Sequence, residues 1–121
     1  MSYYYNPYGE LYHRIPDMNI RQIPLGSTWY ESEAGWSGVW RRQGNSNIFH
    51  ARWTKSGQRD VTAVLTIEID GNLVLIRRRN SSDGVNCNYA GWITNDGRIA
   101  GGCYSCRAGH REGWGASISL P

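Results

Sequence analysis

Three cysteines and a histidine in the C-terminal third of the chain could bind a metal ion or form a disulfide. The spacing C-x15-C-x2-C-x3-H has the ligand types of a Cys3His zinc site and is formed by Cys87, Cys103, Cys106 and His110. In a β-strand, residues three apart face opposite sides, which would separate Cys103 from Cys106. Strand register instead places Cys87 opposite Cys106, either as two buried thiols or as a cross-strand disulfide. We therefore favour these two states over a metal site and expect Cys103 to be an exposed thiol.

The histidine and acidic side chains do not follow a known catalytic pattern. No nucleophile motif such as G-x-S-x-G accompanies His13, His50 or His110. Glu31 and Glu33 would point the same way in an extended chain, but paired carboxylates are also ordinary on solvated loops. We interpret both as loop residues that precede the first strand. The sequence therefore predicts no catalytic residue and no cofactor, so we do not expect an enzyme.

The elements that position these residues are short strands separated by glycine-containing turns. From about Gly35 onward the pattern is regular, and there is no helical stretch of usable length. The segments are GWSGVWRRQ, NIFHARWTK, VTAVLTIEI, NLVLIRRR, VNCNYAGWIT, RIAGGCYSC and WGASISL. Such spacing is typical of sandwiches and up-and-down barrels. We predict an all-β antiparallel meander of about seven to eight strands, closed or nearly closed into a small β-barrel over residues 27–121.

Turn residues set the register of three predicted hairpins, at Gly44-Asn45, Asp70-Gly71 and Asp96-Gly97. The predicted pairs are Trp40–Phe49, Gly38–Ala51 and Trp36–Trp53, then Ile67–Val74 and Leu65–Ile76, then Ile93–Ala100, Gly91–Gly102, Tyr89–Tyr104 and Cys87–Cys106. Each choice places apolar or small residues opposite one another. A slip of one residue would move them to the other face of the sheet.

The predicted inner face is rich in tryptophan and tyrosine. Small residues recur midway along the strands, and large aromatic residues flank them. Glycines could relieve crowding where a small barrel curves, with the aromatics filling the core; alternatively, this waist leaves a cavity for a flat or apolar ligand. The candidate interior residues are Trp36, Trp40, Trp53, Tyr89, Tyr104, Trp114, Arg42 and Arg78. We expect Trp29 and Trp92 to be surface aromatics.

Residues 1–26 differ from the rest of the chain and are predicted to form an extended arm. Prolines interrupt this segment, and no period of a helix or a strand is sustained. Its tyrosines suggest that it lies against a surface, either on its own barrel or on a neighbouring subunit. The candidate partner-binding residues are Tyr3, Tyr4, Tyr5, Tyr8 and Tyr12.

The tripeptide Gly38-Val39-Trp40 resembles the G-x-W signature at the first barrel strand of the calycins, the lipocalin and avidin families. In length and in its meander of short strands, the chain is more similar to avidin than to the longer lipocalins. The resemblance implies an up-and-down barrel with a ligand mouth at one end, where the glycine and the tryptophan help to close the opposite end.

Charge and hydropathy narrow the range of partners and locations. The net charge is +3, with one lysine among 13 basic residues. Arg41-Arg42 and Arg77-Arg78-Arg79 lie in predicted strands, so neighbouring side chains point to opposite faces and do not form one patch; we do not expect a nucleic-acid partner. No apolar run of about 18 residues occurs, and the first 24 residues lack the basic start and apolar stretch of a secretory signal. We expect a cytoplasmic protein without a membrane partner, and leave open an export route that uses no cleaved signal.

Three functions fit these observations. The first is a non-catalytic binding module whose barrel holds a small apolar or aromatic ligand in its aromatic interior. The second is a structural protein that forms homo-oligomers when the arm of one subunit docks on the next, by strand addition at an open edge. The third is a lectin that stacks sugar rings on exposed aromatic residues such as Trp92 and Trp29. We rank the binding module first.

Overall fold

Residues 23–120, which the computed structural model describes, form a closed antiparallel barrel of eight strands in sequential order. The strands are β1 (Thr28–Glu33), β2 (Trp36–Arg42), β3 (Ile48–Thr54), β4 (Val61–Asp70), β5 (Leu73–Arg79), β6 (Cys87–Ile93), β7 (Ile99–Arg107) and β8 (His110–Ser119). The predicted all-β up-and-down barrel is confirmed. A helix that could cross a membrane is not found among these residues.

The strand β1 closes the barrel and lies before the first strand that the sequence predicts. It pairs with β2 on one side and with β8 on the other. The expectation that Glu31 and Glu33 belong to a loop was therefore wrong, since both lie in this strand. The tyrosines of the predicted arm, from Tyr3 to Tyr12, lie outside the described residues.

The predicted register holds in one hairpin and shifts by two residues in two others. In β6–β7 the pairs Ile93–Ala100, Gly91–Gly102 and Tyr89–Tyr104 are confirmed. In β4–β5 the turn begins at Gly71, whose φ is 62°, rather than at Asp70. Glycine at the first central position is typical of a type II′ turn.

In β2–β3 the connection is longer than two residues, and Trp40 pairs with Ala51 instead of Phe49. A shift of two residues leaves every side chain on its predicted face, because the side-chain period of a strand is two. The errors in these two hairpins therefore changed the paired residues but not the composition of the interior.

The barrel interior is packed with aromatic rings that contact one another. Trp40 lies in the middle, with its ring centroid 5.7 Å from Trp29, 5.7 Å from Tyr89 and 5.9 Å from Trp114. Trp29 is fully buried, so its prediction as a surface aromatic was wrong. The cause is the unrecognised strand β1, in which Trp29 alternates inward together with Glu31 and Glu33.

The two ends of the barrel differ in chemistry. At one end, which we call the closed end, Ile23, Leu25 and Leu120 pack against the core, and the indole Nε1 of Trp29 donates a hydrogen bond to the Leu25 carbonyl at 2.7 Å. The opposite end is formed by the β1–β2, β3–β4, β5–β6 and β7–β8 turns. We call it the polar end, because Glu31, Glu33 and Arg78 are buried there.

Candidate functional site

The candidate site is the group of buried charged side chains at the polar end. Glu31, Glu33 and Arg78 are only 2%, 7% and 6% exposed, respectively. Glu31 and Glu33 point inward from β1, because alternate residues of a strand share a face, and Arg78 points inward from the end of β5. Burial of charged groups is unfavourable unless they are paired and hydrogen-bonded. The contacts of each group therefore decide what the site can do.

The Glu31 carboxyl accepts a hydrogen bond from a tryptophan, and the space for this contact depends on a glycine. The indole Nε1 of Trp53 donates a hydrogen bond to Glu31 Oε1 at 2.8 Å. A Cβ atom at Gly38 would lie 2.6 Å from this oxygen and 2.7 Å from the indole nitrogen. The glycine of the Gly38-Val39-Trp40 motif therefore leaves the space in which the Glu31–Trp53 hydrogen bond forms.

Glu31 is a neutral acid at pH 7. Burial, the largest cause, and the adjacent Glu33 together raise the pKa of Glu31 to about 10, although Trp53 and Arg78 act in the opposite direction. Within residues 23–120, Glu31 Oε2 has no partner that could donate a hydrogen bond to it. A protonated carboxyl can itself donate, and Glu33 is the acceptor beside it. The two carboxyl groups thus share one proton.

Glu33 receives a short hydrogen bond from a buried tyrosine. The hydroxyl of Tyr89 donates to Glu33 Oε1 at 2.6 Å. Burial and the charge of Glu33 raise the pKa of Tyr89, and the same causes raise the pKa of Tyr104. Both phenols therefore stay protonated, and Tyr89 serves as the donor to Glu33. The ring of Tyr104 stacks on that of Tyr89, with their centroids 5.0 Å apart.

Arg78 connects the carboxyl pair to the β5–β6 loop. Its Nη2 lies 3.3 Å from Asp83 Oδ2, and its Nε donates to Ser81 Oγ at 2.9 Å. Its Nη1 is farther from Glu33 Oε2, at 3.9 Å. The guanidinium carbon lies 4.4 Å from the centroid of the Trp53 ring, within the range of a cation–π contact.

A groove of about 610 Å³ opens at the rim of the polar end, between the β1–β2 turn and β8. Trp36, Trp114 and Glu33 line it together with Gly35 and Gly113. The ammonium of Lys55 lies 5.7 Å from the Trp36 ring centroid. Trp36 is half-buried, so part of its indole at this rim is within reach of a ligand from solvent.

The structure brings most of the predicted interior residues into one cluster. Trp40, Trp53, Tyr89, Tyr104, Trp114 and Arg78 are buried in the barrel. Arg42 is not part of the site: it lies at the other end of β2, and its Nε donates to the Ser46 carbonyl at 2.7 Å in the β2–β3 loop. Trp92 is 67% exposed, as predicted for a surface aromatic.

The cysteines do not form a metal site. Cys87 and Cys106 form a disulfide between β6 and β7, which was one of the two states that the register allowed. Cys103 is a free and exposed cysteine, as expected. The candidate zinc ligands Cys87, Cys103, Cys106 and His110 are thereby overturned, because the disulfide consumes two of them. Across the described part of the chain, no cluster of three metal-binding side chains is found.

Replacing Glu31 by glutamine is expected to change how stability depends on pH. Folded Glu31 keeps its proton up to a pKa of about 10, whereas the unfolded chain releases it near 4.5. The folded state therefore binds one more proton between these values, so this contribution is fully present below pH 4.5 and is lost as the pH rises toward 10. The loss is at most about 1.4 kcal/mol per pH unit. Glu31→Gln should remove that slope.

Urea unfolding at several pH values between 5 and 9 measures the slope directly. Glutamine keeps an acceptor for Trp53 and a donor for Glu33, so the variant should fold. The exposed Glu68, changed to glutamine, serves as the control and should keep the wild-type slope. Equal slopes for Glu31→Gln and the wild-type protein would contradict a shared proton.

Comparison with models of known families, with curated proteins and with solved structures yields no match for this chain. The resemblance to calycins through Gly38-Val39-Trp40 stays a prediction. A closed barrel hosts many unrelated activities, so function has to be argued from the chemistry of the polar end.

Proposed function

We propose that the protein is a non-catalytic binding module whose barrel takes the apolar or aromatic part of a small ligand at its polar end. The observation that carries this proposal is that Glu31, Glu33 and Arg78 are buried together at one end of the barrel, beside a groove lined by Trp36 and Trp114. Apolar side chains close the opposite end. This asymmetry favours a mouth at one end and a sealed base at the other.

Stability alone does not account for the charged cluster. Replacing buried ion pairs by apolar residues of similar volume is often neutral or stabilising, so a barrel selected only for packing would favour aliphatic side chains here. The indole Nε1 of Trp40 is a second polar atom at odds with simple packing. It is buried and has no acceptor among the described residues. A buried donor of this kind favours a bound water in the barrel.

A tryptophan variant at the mouth tests the proposal. The full chain, purified from its own host, is measured by native mass spectrometry and then after denaturation. We expect an added mass that disappears on denaturation. In Trp36→Leu the ligand should be held at least about tenfold more weakly, because buried tryptophans dominate many binding sites. A chain that carries no added mass under native conditions would contradict a binding barrel.

The matched control is Trp92→Leu, which removes an exposed indole from the outer wall. It should retain the ligand. The opposite result, with ligand lost from Trp92→Leu and kept by Trp36→Leu, would favour the second candidate function, a lectin. The specific support for a lectin is the exposure of Trp92 between Leu73 and Gly101 of the neighbouring strands, which leaves its ring open for stacking.

Two further proposals concern assembly and location. The arm was predicted over residues 1–26, of which 1–22 lie outside the described part, and the closed barrel leaves no open edge for strand addition, so the arm would have to dock in another way. Such assembly would appear in the same spectra as multiples of the chain mass. The disulfide between Cys87 and Cys106 favours an oxidising compartment over the cytoplasm, because cytosolic thiols are kept reduced.

A further inference from the structure

We propose that the ligand carries an organic ammonium group, which binds between the Trp36 ring and the Glu33 carboxylate at the polar end. This inference rests on the proposed function, since it names the ligand class of the same site. Two observations carry it: cations already lie on the aromatic faces, and the cation nearest to Glu33, Arg78, lies at the long distance of 3.9 Å.

Aromatic faces at the polar end already accept cations from the protein itself. Arg78 lies 4.4 Å from the Trp53 centroid, and the Lys55 ammonium lies 5.7 Å from the Trp36 centroid. The negative face of an indole attracts cations and repels anions, and substituted ammonium ions are the ligands that aromatic sites of this kind recognise. Lys55 is exposed on the β3–β4 turn. A ligand could therefore replace its ammonium over Trp36.

Among residues 23–120, Glu33 makes a single, long ion pair, with Arg78. Arg78 Nη2 lies nearer to Asp83, at 3.3 Å, than Nη1 does to Glu33, at 3.9 Å. The latter distance is too long for a hydrogen bond. Within residues 23–120, Glu33 Oε2 thus meets no cation at hydrogen-bonding distance, although the carboxylate is buried.

Glu31 is the neutral member of the carboxyl pair, so Glu33 is the group that would attract a cation. An anionic ligand would face Glu33 and the negative faces of the rings, and Arg78 is already engaged by Asp83 and Ser81. The chemistry of the cluster therefore selects a cation.

The experiment compares two probes of the same shape. Choline and 3,3-dimethylbutan-1-ol differ by a nitrogen cation in place of a carbon atom. Isothermal titration calorimetry of the full chain at pH 7 should give a dissociation constant for choline at least about tenfold lower than that for the neutral alcohol.

Two substitutions should change the affinity for choline in opposite directions. Lys55→Met removes the cation that occupies Trp36, so choline should bind several-fold more tightly. Glu33→Gln removes the anionic partner, so choline should bind about tenfold more weakly. Neither change should affect the neutral alcohol. Arg59→Met, in the same turn as Lys55, and the exposed Glu68→Gln are matched controls that should leave both affinities unchanged. Because Lys55 is exposed, its variant tests the proposal even if Glu33→Gln fails to fold.

The outcomes separate the ligand class from the binding function. If choline and the neutral alcohol bind equally well and neither binds Trp36→Leu, the binding site at the polar end stands and the preference for an ammonium group is overturned. If neither probe binds while native spectra show an added mass, the ammonium group is also overturned and the binding module stands. If neither Lys55→Met nor Glu33→Gln changes the affinity for choline, the cation binds elsewhere and the inference is overturned. No probe binding and no added mass would overturn both proposals.

Discussion

Replacing Gly91 by alanine is expected to destabilise the barrel by about 3 kcal/mol or more. Gly91 in β6 pairs with Gly102 in the neighbouring strand β7. An added Cβ would lie 2.6 Å from the carbonyl carbon of Gly101 and 3.0 Å from the Cα of Gly102. These atoms are backbone and cannot move without separating the two strands. Urea unfolding followed by tryptophan fluorescence should show a large shift of the midpoint, or no cooperative transition.

Gly115→Ala is the matched control. Gly115 lies in β8, and the nearest atom to an added Cβ would be the Ala100 carbonyl oxygen at 3.9 Å, an ordinary contact. Alanine in a strand also restricts the unfolded chain, so the change should be small or slightly stabilising. If Gly91→Ala and Gly115→Ala unfold at the same urea concentration, the close approach of β6 and β7 is not what Gly91 provides.

The pairing of these glycines shows how far sequence reasoning reaches. Alternation and turn residues predict that Gly91 faces Gly102 and that Tyr89 faces Tyr104, because only one register keeps both pairs on one face. The atoms that exclude a side chain at Gly91 belong to the backbone of β7. Their positions depend on how tightly the barrel curves there, which a sequence pattern does not specify.

The candidate site could not be predicted in the same way, because it depends on β1, a strand that has acidic residues at inward positions. Trp29, Glu31 and Glu33 alternate with Tyr30 and Ser32, which is the period of a strand. An acid at an inward position normally argues against burial, so the alternation favours a solvated loop. The closure of β1 on β8 turns these acids inward, and closure is a property of the whole topology.

The interior aromatic residues are an intermediate case. Their inward positions follow from alternation, and Trp40, Trp53 and Trp114 were predicted correctly. Whether they surround a cavity or fill the core was left open by the sequence. In the structure, Trp40 and Trp114 have their ring centroids 5.9 Å apart and contact each other. Such contacts depend on side-chain rotamers, which a sequence pattern does not specify. Because the rings fill the interior, the ligand is expected at the rim near Trp36.

Replacing Arg78 by methionine should destabilise the protein by about 3 to 5 kcal/mol, because removing one partner leaves a buried charge uncompensated. Methionine keeps much of the apolar stem while it removes the guanidinium over Trp53. Arg77 is the neighbouring residue on β5, points outward and is exposed. Arg77→Met should therefore change stability by no more than about 0.5 kcal/mol. Urea unfolding of both variants at pH 7 measures the difference, and equal effects would contradict a structural role for the buried guanidinium.

The double variant Arg78→Met/Glu33→Gln separates lost charge from lost packing. If the cost of Arg78→Met comes from Glu33 left without its cation, removal of the Glu33 charge should recover part of the stability. The two substitutions would then be strongly non-additive, as expected for groups that share one network. If the cost comes only from the lost contact with Trp53, the double variant should be as unstable as the sum of the single variants. Recovery would identify Glu33 as a carboxylate that needs a cation, which is the property that the ammonium ligand is proposed to use.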